Sequence, residues 1–244
     1  MNKTTIAVIV VAVIAVVVGA VLIFLRFWPG GLVGSGNLET EDYAFASFTE
    51  VEIGSAFEFE VKQSSSYGIN ITADDNVMDY VQVSQDGQTL KIRLGTVPIP
   101  RLVTLRASVT MPQLRGLTVS GASRGTVSGF NSTDDLDVTV SGASRVTGDI
   151  TTGNVEFDVS GASTIQLEGS ADNMTSTVSG ASTCNLADFP VYDADVNISG
   201  ASTGTINLDG RLDANVSGAS TLLYIGDPTM GDINTSGAST ISRK

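Results

Sequence analysis

Residues 117–123 read Leu117-Thr118-Val119-Ser120-Gly121-Ala122-Ser123, and the last four of these recur through the second half of the chain. Ser-Gly-Ala-Ser begins at Ser120, Ser141, Ser160, Ser179, Ser199, Ser217 and Ser236, at spacings of 21, 19, 19, 20, 18 and 19 residues. A near-constant short period marks a stacked repeat, in which each unit covers the apolar face of its neighbour.

The flanks of the tetrapeptide say what each unit is. Immediately before it stand Val119, Val140, Val159, Val178, Ile198, Val216 and Thr235. Three residues before it stand Leu117, Val138, Phe157, Ser176, Val196, Ala214 and Ile233. Apolar and β-branched residues two apart, with polar residues between them, make a strand with one buried face. The pattern resumes after the motif with Val146, Ile165, Cys184, Leu222 and Ile241, and then Val127, Leu167, Leu186, Ile206 and Tyr224. Gly129, Gly148, Gly169, Gly210 and Gly226, beside Asp, Glu, Asn or Ser, read as turns between units.

Each unit is therefore strand, SGAS corner, strand and turn. The expectation is an all-β, single-stranded parallel β-helix, right-handed by the crossover rule. At ~4.8 Å per coil, seven coils make a rod of about 34 Å. Glycine admits a bend that a side chain would block. Alanine is expected in the tight inner corner, with the stacked serines bonding to backbone and to each other.

The N-terminal half divides differently. Ile6 to Leu25 is apolar and uncharged, and Phe27 and Trp28 follow it. At ~1.5 Å per residue such a run spans the ~30 Å of a bilayer core. It exceeds the ~7–15 residues of a secretory core, so it reads as a retained anchor rather than a cleaved leader. Expected boundaries are a short cytoplasmic end (1–5), a transmembrane helix (6–28), a Gly-rich linker (29–41), an irregular β region (42–111) and the solenoid (112–244). Residues 42–111 are read as less regular first coils or a cap, with a hairpin turn at Asp86-Gly87. No separate cap follows the seventh motif, so end-to-end self-association is expected of the open strand edges.

Lys3 before the span and Arg26 after it leave the positive-inside comparison nearly balanced. Asn-x-Ser/Thr sequons at Asn70, Asn131, Asn173, Asn197, Asn215 and Asn234 favour an external C-terminal domain, with the N-terminus in the cytoplasm. The bilayer is thus the first expected partner, through residues 6–28.

Composition removes several function classes. The formal net charge is −13, and no Lys/Arg cluster exists to neutralise phosphates, so nucleic acid is not an expected partner. There is no histidine and only one cysteine, Cys184, so the usual general base, the usual zinc ligands and any intrachain disulfide are missing. The repeated serines lack a base, since Lys244 is the only lysine after Lys91. They read as structural, and Cys184, at an apolar repeat position, as a small buried hydrophobe.

One constellation remains. Four residues before the motif stand Asp195, Asp213 and Asp232 in the last three coils, and two before it Asn197, Asn215 and Asn234. These positions alternate with the buried ones, so the six side chains form a solvent-facing strip. Like charges ~5 Å apart repel by ~1 kcal/mol in water. A Ca²⁺ ion held by carboxylate and amide oxygens would relieve this, and a glycan could bond to the same groups. Stacked Asn and Thr columns are also ordinary furniture of solenoids, and that bland reading competes with both. Paired carboxylates are the minimum for glycoside cleavage, so a polysaccharide-active lyase or glycosidase is the alternative to a binding, adhesion or envelope-structural protein.

Tyr43–Glu60, the Asp-Gly-x-x-Leu-x-Ile core within Val81–Leu94 and the Leu-x-Val-Ser-Gly-Ala-Ser units resemble the auto-transporter adhesin head family, the head GIN domain. The resemblance covers nearly everything after the linker. It implies a parallel β-helix and an envelope location, and it carries no catalytic, cofactor or ligand residues to this chain.

Overall fold

The computed structural model describes residues 31–96 and 101–244. The expected transmembrane helix over 6–28 lies outside them. Among the described residues, no helix is long and apolar enough to cross a membrane.

The seven corners stand in single file. Val119, Val140, Val159, Val178, Ile198, Val216 and Thr235, one before each corner, are successive parallel register partners. So are Arg124, Arg145, Thr164, Thr183, Thr203, Thr221 and Thr240, the residues just after it. The corner itself continues the ladder: Ala162, Ala181, Ala201, Ala219 and Ala238 each donate their amide to the corner-glycine carbonyl one coil below, at 2.7–2.8 Å. Gly161, Gly180, Gly200 and Gly218 hold φ of 77 to 80°. A Cβ on any of these four would lie 2.3 or 2.4 Å from the glycine oxygen beneath. The motif thus needs glycine twice, for its left-handed backbone and for the close approach of the coil below.

The fine placement inside the corner differs from expectation. The alanines are exposed, and the inner position belongs to the fourth residue: Ser123, Ser144, Ser163, Ser182, Ser202 and Ser220 are at most 2% exposed. Bending the chain takes that residue's N–H out of the sheet ladder, and a buried N–H must find another acceptor. Ser144, Ser163, Ser182 and Ser202 each donate it to the Oγ of the serine one coil above, at 3.3–3.4 Å. At Ser163, Ser182, Ser202 and Ser220 a hydroxyl on a small side chain meets both volume and hydrogen bonding, which alanine could not, whereas the buried hydroxyls of Ser123 and Ser144 have no partner among the described residues.

Two sheets follow from this coil. The first strands are β1 (Leu38–Asp42), β2 (Glu50–Ile53), β3 (Glu58–Gln63) and β4 (Gly68–Asp74). A short helix α1 (Asp75–Met78) leads to β5 (Val81–Asp86), β6 (Thr89–Leu94) and β7 (Leu105–Met111). Strands before the corners are β8 (Gly116–Val119), β10 (Leu136–Val140), β12 (Val155–Val159), β14 (Asn173–Val178), β16 (Asp193–Ile198), β18 (Arg211–Val216) and β20 (Thr229–Thr235). Strands after them are β9 (Arg124–Asn131), β11 (Arg145–Thr151), β13 (Thr164–Ser170), β15 (Thr183–Val191), β17 (Thr203–Leu208), β19 (Thr221–Ile225) and β21 (Thr240–Arg243). The ten-stranded sheet runs β20-β18-β16-β14-β12-β10-β8-β2-β6-β5, and the eleven-stranded sheet β1-β4-β7-β3-β9-β11-β13-β15-β17-β19-β21.

Spatial order departs from chain order at the base. The coil β2–β3 lies between β6–β7 below and β8–β9 above, with parallel pairing on both sides. Its corner, Gly54-Ser55-Ala56-Phe57, is in register with Ser120–Ser123, and Ser55 and Ala56 match the positive φ of Gly121 and Ala122. Antiparallel β5, β4 and β1 close the base. Residues 42–111 are therefore both coil and cap. Residues 32–41 are not a free linker: β1 pairs with β4, and the strap before it is bonded to the base. At the opposite end β20 and β21 are the edge strands among the described residues.

Between the sheets most of the predicted apolar positions are buried, among them Leu117, Val138, Phe157, Val159, Val146 and Ile165, while in the last coils Tyr224 and Ile241 are half-buried and Ile233 is exposed. Phe157 meets Phe189 edge-on at 6.1 Å. Three of the glycines read as turns, Gly129, Gly148 and Gly169, instead lie within β9, β11 and β13. The register between β9 and β11 shifts at Gly129 and Gly148, and that between β13 and β15 shifts just before Gly169, as at β-bulges. Cys184 is buried, and desolvation pushes its thiol up to about 12 against a weaker opposing bond from Ser176.

Replacing Gly200 with Ala puts a Cβ against the Gly180 carbonyl at a strained φ and is expected to cost about 3 kcal/mol or more. Thermal unfolding should show Tm lower by at least ~6 °C, while Ala201→Ser, on the exposed ridge, should change it by about 1–2 °C at most. Cys184 in the native protein should resist a thiol reagent at neutral pH and react fully in denaturant.

Candidate functional site

The strands before the corners present three outward columns on the ten-stranded sheet, because alternate residues of each strand face solvent. The sequence-derived strip occupies two of them. Asp195 and Asp213 are register partners, and Asn197, Asn215 and Asn234 follow one another in register. Asp232 is displaced by an irregularity between β18 and β20, and its amide donates to Asp213 Oδ1 at 2.6 Å. Among the described residues, the amides of Asn197, Asn215 and Asn234 meet no protein partner, and all three side chains are exposed.

A third column joins the two that the sequence singles out. Six residues before each motif stand Asp135, Asn154, Asn173, Asp193 and Arg211, adjacent across consecutive coils. Asn154 donates its backbone and side-chain N–H groups to Asp135 Oδ1 at 2.9 and 3.0 Å, and Asn173 Nδ2 donates to Asn154 Oδ1 at 2.9 Å. This amide ladder leads to Asp193, which accepts the Arg211 amide at 2.5 Å.

Arg211 decides the electrostatics. Its Nε and one terminal nitrogen each donate to Asp213 at 2.7 Å, and its guanidinium stands 3.9 Å from Asp232. The hydrogen bond from Arg211 and the Asp232 amide hold the Asp213 carboxyl below its ordinary range, and Asp213 in turn raises the arginine. The positive charge that the stacked acids require is thus built into the chain. Among the described residues, no group of three or more His, Cys, Asp or Glu side chains converges as a metal site. For Asp213 and Asp232 the repulsion that suggested Ca²⁺ is met by a guanidinium.

These residues line a shallow groove of about 290 Å³ running across four coils, with Asn154, Asn173, Asp193, Asp195, Arg211 and Asp213 on its walls. Its floor includes the backbone of Val155, Met174 and Ala194, whose side chains point into the core. Donor and acceptor groups recur along it at the ~4.8 Å strand spacing. Such a surface can exchange its water for the hydroxyls of an extended polar ligand. Asp213, on its wall, is held down rather than raised towards neutrality.

A family model described as "Putative auto-transporter adhesin, head GIN domain" matches residues 47–228. Among solved structures, a "putative adhesin" from Bacteroides fragilis is similar at 23% identity with a TM-score of 0.83, covering 88% of this chain and 100% of that one. A "putative lipid binding protein" from Parabacteroides distasonis is similar at 22% identity with a TM-score of 0.71, covering 87% of this chain and 99% of that one. A "putative adhesin" from Parabacteroides merdae is similar at 18% identity with a TM-score of 0.69, covering 88% and 99%. At these identities the likeness is one of fold. No curated protein matches the chain.

In Arg211→Gln, the Asp213 carboxyl should titrate nearer its ordinary value of ~3.9, read by carboxyl-carbon NMR. A depressed folded pKa contributes stability that is complete above the unfolded value and is lost as pH falls through the folded one. The variant should therefore lose part of the wild type's margin above about pH 4, and the two proteins should converge in stronger acid.

Proposed function

This chain belongs to the head GIN domain family, and from that membership we propose that it is a membrane-tethered binding module. It displays its β-solenoid outside the cell and holds surface glycans along the polar face of the ten-stranded sheet. The carrying observation is the groove at Arg211, flanked by the unpartnered amides of Asn197 and Asn215. Carbohydrate hydroxyls both donate and accept, and this surface offers carboxylate acceptors, amide groups of both kinds and a guanidinium donor within a few ångströms. The family's adhesin description agrees with such a role.

Tethering rests on the uncharged run from Ile6 to Leu25, with Phe27 and Trp28 at its boundary. The external sense of the domain rests on its sequons and acidic surface, with the N-terminus on the cytoplasmic side. A glycan-cleaving enzyme is the weaker reading. Its general acid would need a carboxyl raised towards neutrality, whereas Asp213 is pushed the other way by Arg211.

The full chain in detergent, probed on a glycan array, should retain a subset of glycans without releasing shorter products. Asn197→Ala combined with Asn215→Ala removes two exposed amides and should weaken the best ligand by about tenfold, as expected for two hydrogen bonds. An array with no bound glycan contradicts the reading, and released oligosaccharide favours the enzyme.

A further inference from the structure

Exposed large apolar side chains are concentrated at the two ends of the rod. At the base stand Val33, Leu38, Tyr80 and Leu102, while Met230 and Ile233 belong to the open far coil. Leu102 is the extreme case. It is 92% exposed and sits at φ 51°, a left-handed conformation that a leucine rarely adopts. Folding thus accepts an unfavourable backbone to keep a large apolar group in the open.

The surrounding bonds fix it there. Val33 bridges Arg101, Gly34 N–H donates to the Arg101 carbonyl at 3.2 Å, and Arg101 N–H donates to the Leu32 carbonyl at 2.8 Å. The buried carboxylate of Asp74 accepts Gly36 N–H at 2.7 Å and Thr104 N–H at 2.6 Å, tying strap and loop to one anchor. A Cβ at Gly34 would lie 2.6 Å from Asp74 Oδ2 and 2.7 Å from the Leu102 carbonyl. Asn76 Nδ2 holds the Val33 carbonyl at 2.8 Å, and Tyr80 follows two residues after α1. Val33, Leu102 and Tyr80 therefore sit on one bonded platform.

The chain says what faces that platform. Val33 stands five residues after Trp28, and five residues reach at most ~18 Å even fully extended. If Ile6 to Leu25 spans a bilayer, the platform is confined to the headgroup region or just above it. We propose that the base of the solenoid docks on this bilayer, with Leu102, Val33 and Tyr80 seated in its interfacial layer. This rests on the tethered reading given above. Tyrosine suits that layer, with its ring among acyl chains and its hydroxyl in water. The charges beside the platform are of both signs, Arg101 against Asp75 and Asp79, so the contact rests on its apolar side chains and not on net charge. Attachment through a short, docked strap supplies the local concentration that three side chains alone would not. The rod then stands on the membrane at a set angle, with its polar groove held to one side.

The test uses the full chain carrying Cys184→Val and a single environment-sensitive fluorophore, reconstituted in phosphatidylcholine vesicles with brominated acyl chains. A label at Leu102→Cys should be quenched several-fold more than one at Tyr192→Cys, an exposed residue on the flank. The difference should persist from low to high salt. Chains that float with the vesicles but show equal quenching at both sites overturn the base contact and leave the anchor standing. Chains that do not float overturn both.

Discussion

The hydrogen bond from the corner alanine to the glycine carbonyl one coil below, made at five successive corners from Ala162 to Ala238, is the constraint on which the rest depends. It carries the backbone ladder around a bend, where a chain would ordinarily leave buried N–H and C=O groups without partners. Glycine at φ near +80° makes the bend and brings the coils close. Serine, next but one, fills the inside of the corner and accepts the N–H that the bend sets free. With corners fixed in one file, the strands on either side have no freedom of register. A slip of one residue would turn every buried valine outward.

Fixed register is also what gives the outer surface its character. Side chains that share a phase relative to the corner become columns at the strand spacing, so an acid repeated at one phase becomes a line of acids. The chain limits the repulsion by changing residue type along the line. Asn154 and Asn173 interrupt the first column, Thr175 interrupts the second, and Arg211 neutralises Asp213 where acids are densest. The result is a face rich in both donors and acceptors, and the groove lies where Arg211 stands among the acids and amides.

Much of this was legible in the sequence because the motif supplied its own ruler. Counting back one and three residues found the buried positions, and counting back two and four found Asp195, Asp213, Asn197 and Asn215 on one face. Counting back six would have found Asp193 and Arg211 by the same alternation. Other features left no such trace. Alanine and serine are both small enough for a tight corner, so only geometry could tell which one enters it. Gly148 and Gly169 looked like turn residues because glycine is used equally for turns and bulges. The insertion of β2–β3 between later coils rests on pairings between segments remote in sequence. Its corner, Gly54-Ser55-Ala56-Phe57, shares only one residue in place with SGAS. The strap at 32–37 is composed like a linker, and what docks it is the distant carboxylate of Asp74.

The stacking of corners can be measured without disturbing the core, because the alanine ridge faces solvent. Spin labels placed in pairs at Ala122 with Ala201, Ala122 with Ala219, and Ala122 with Ala238 report the ridge by pulsed dipolar spectroscopy. Corners in single file predict distances that rise in even steps of ~4.8 Å across the series. Uneven steps, or a distance that stays level or shortens towards Ala238, would contradict the account.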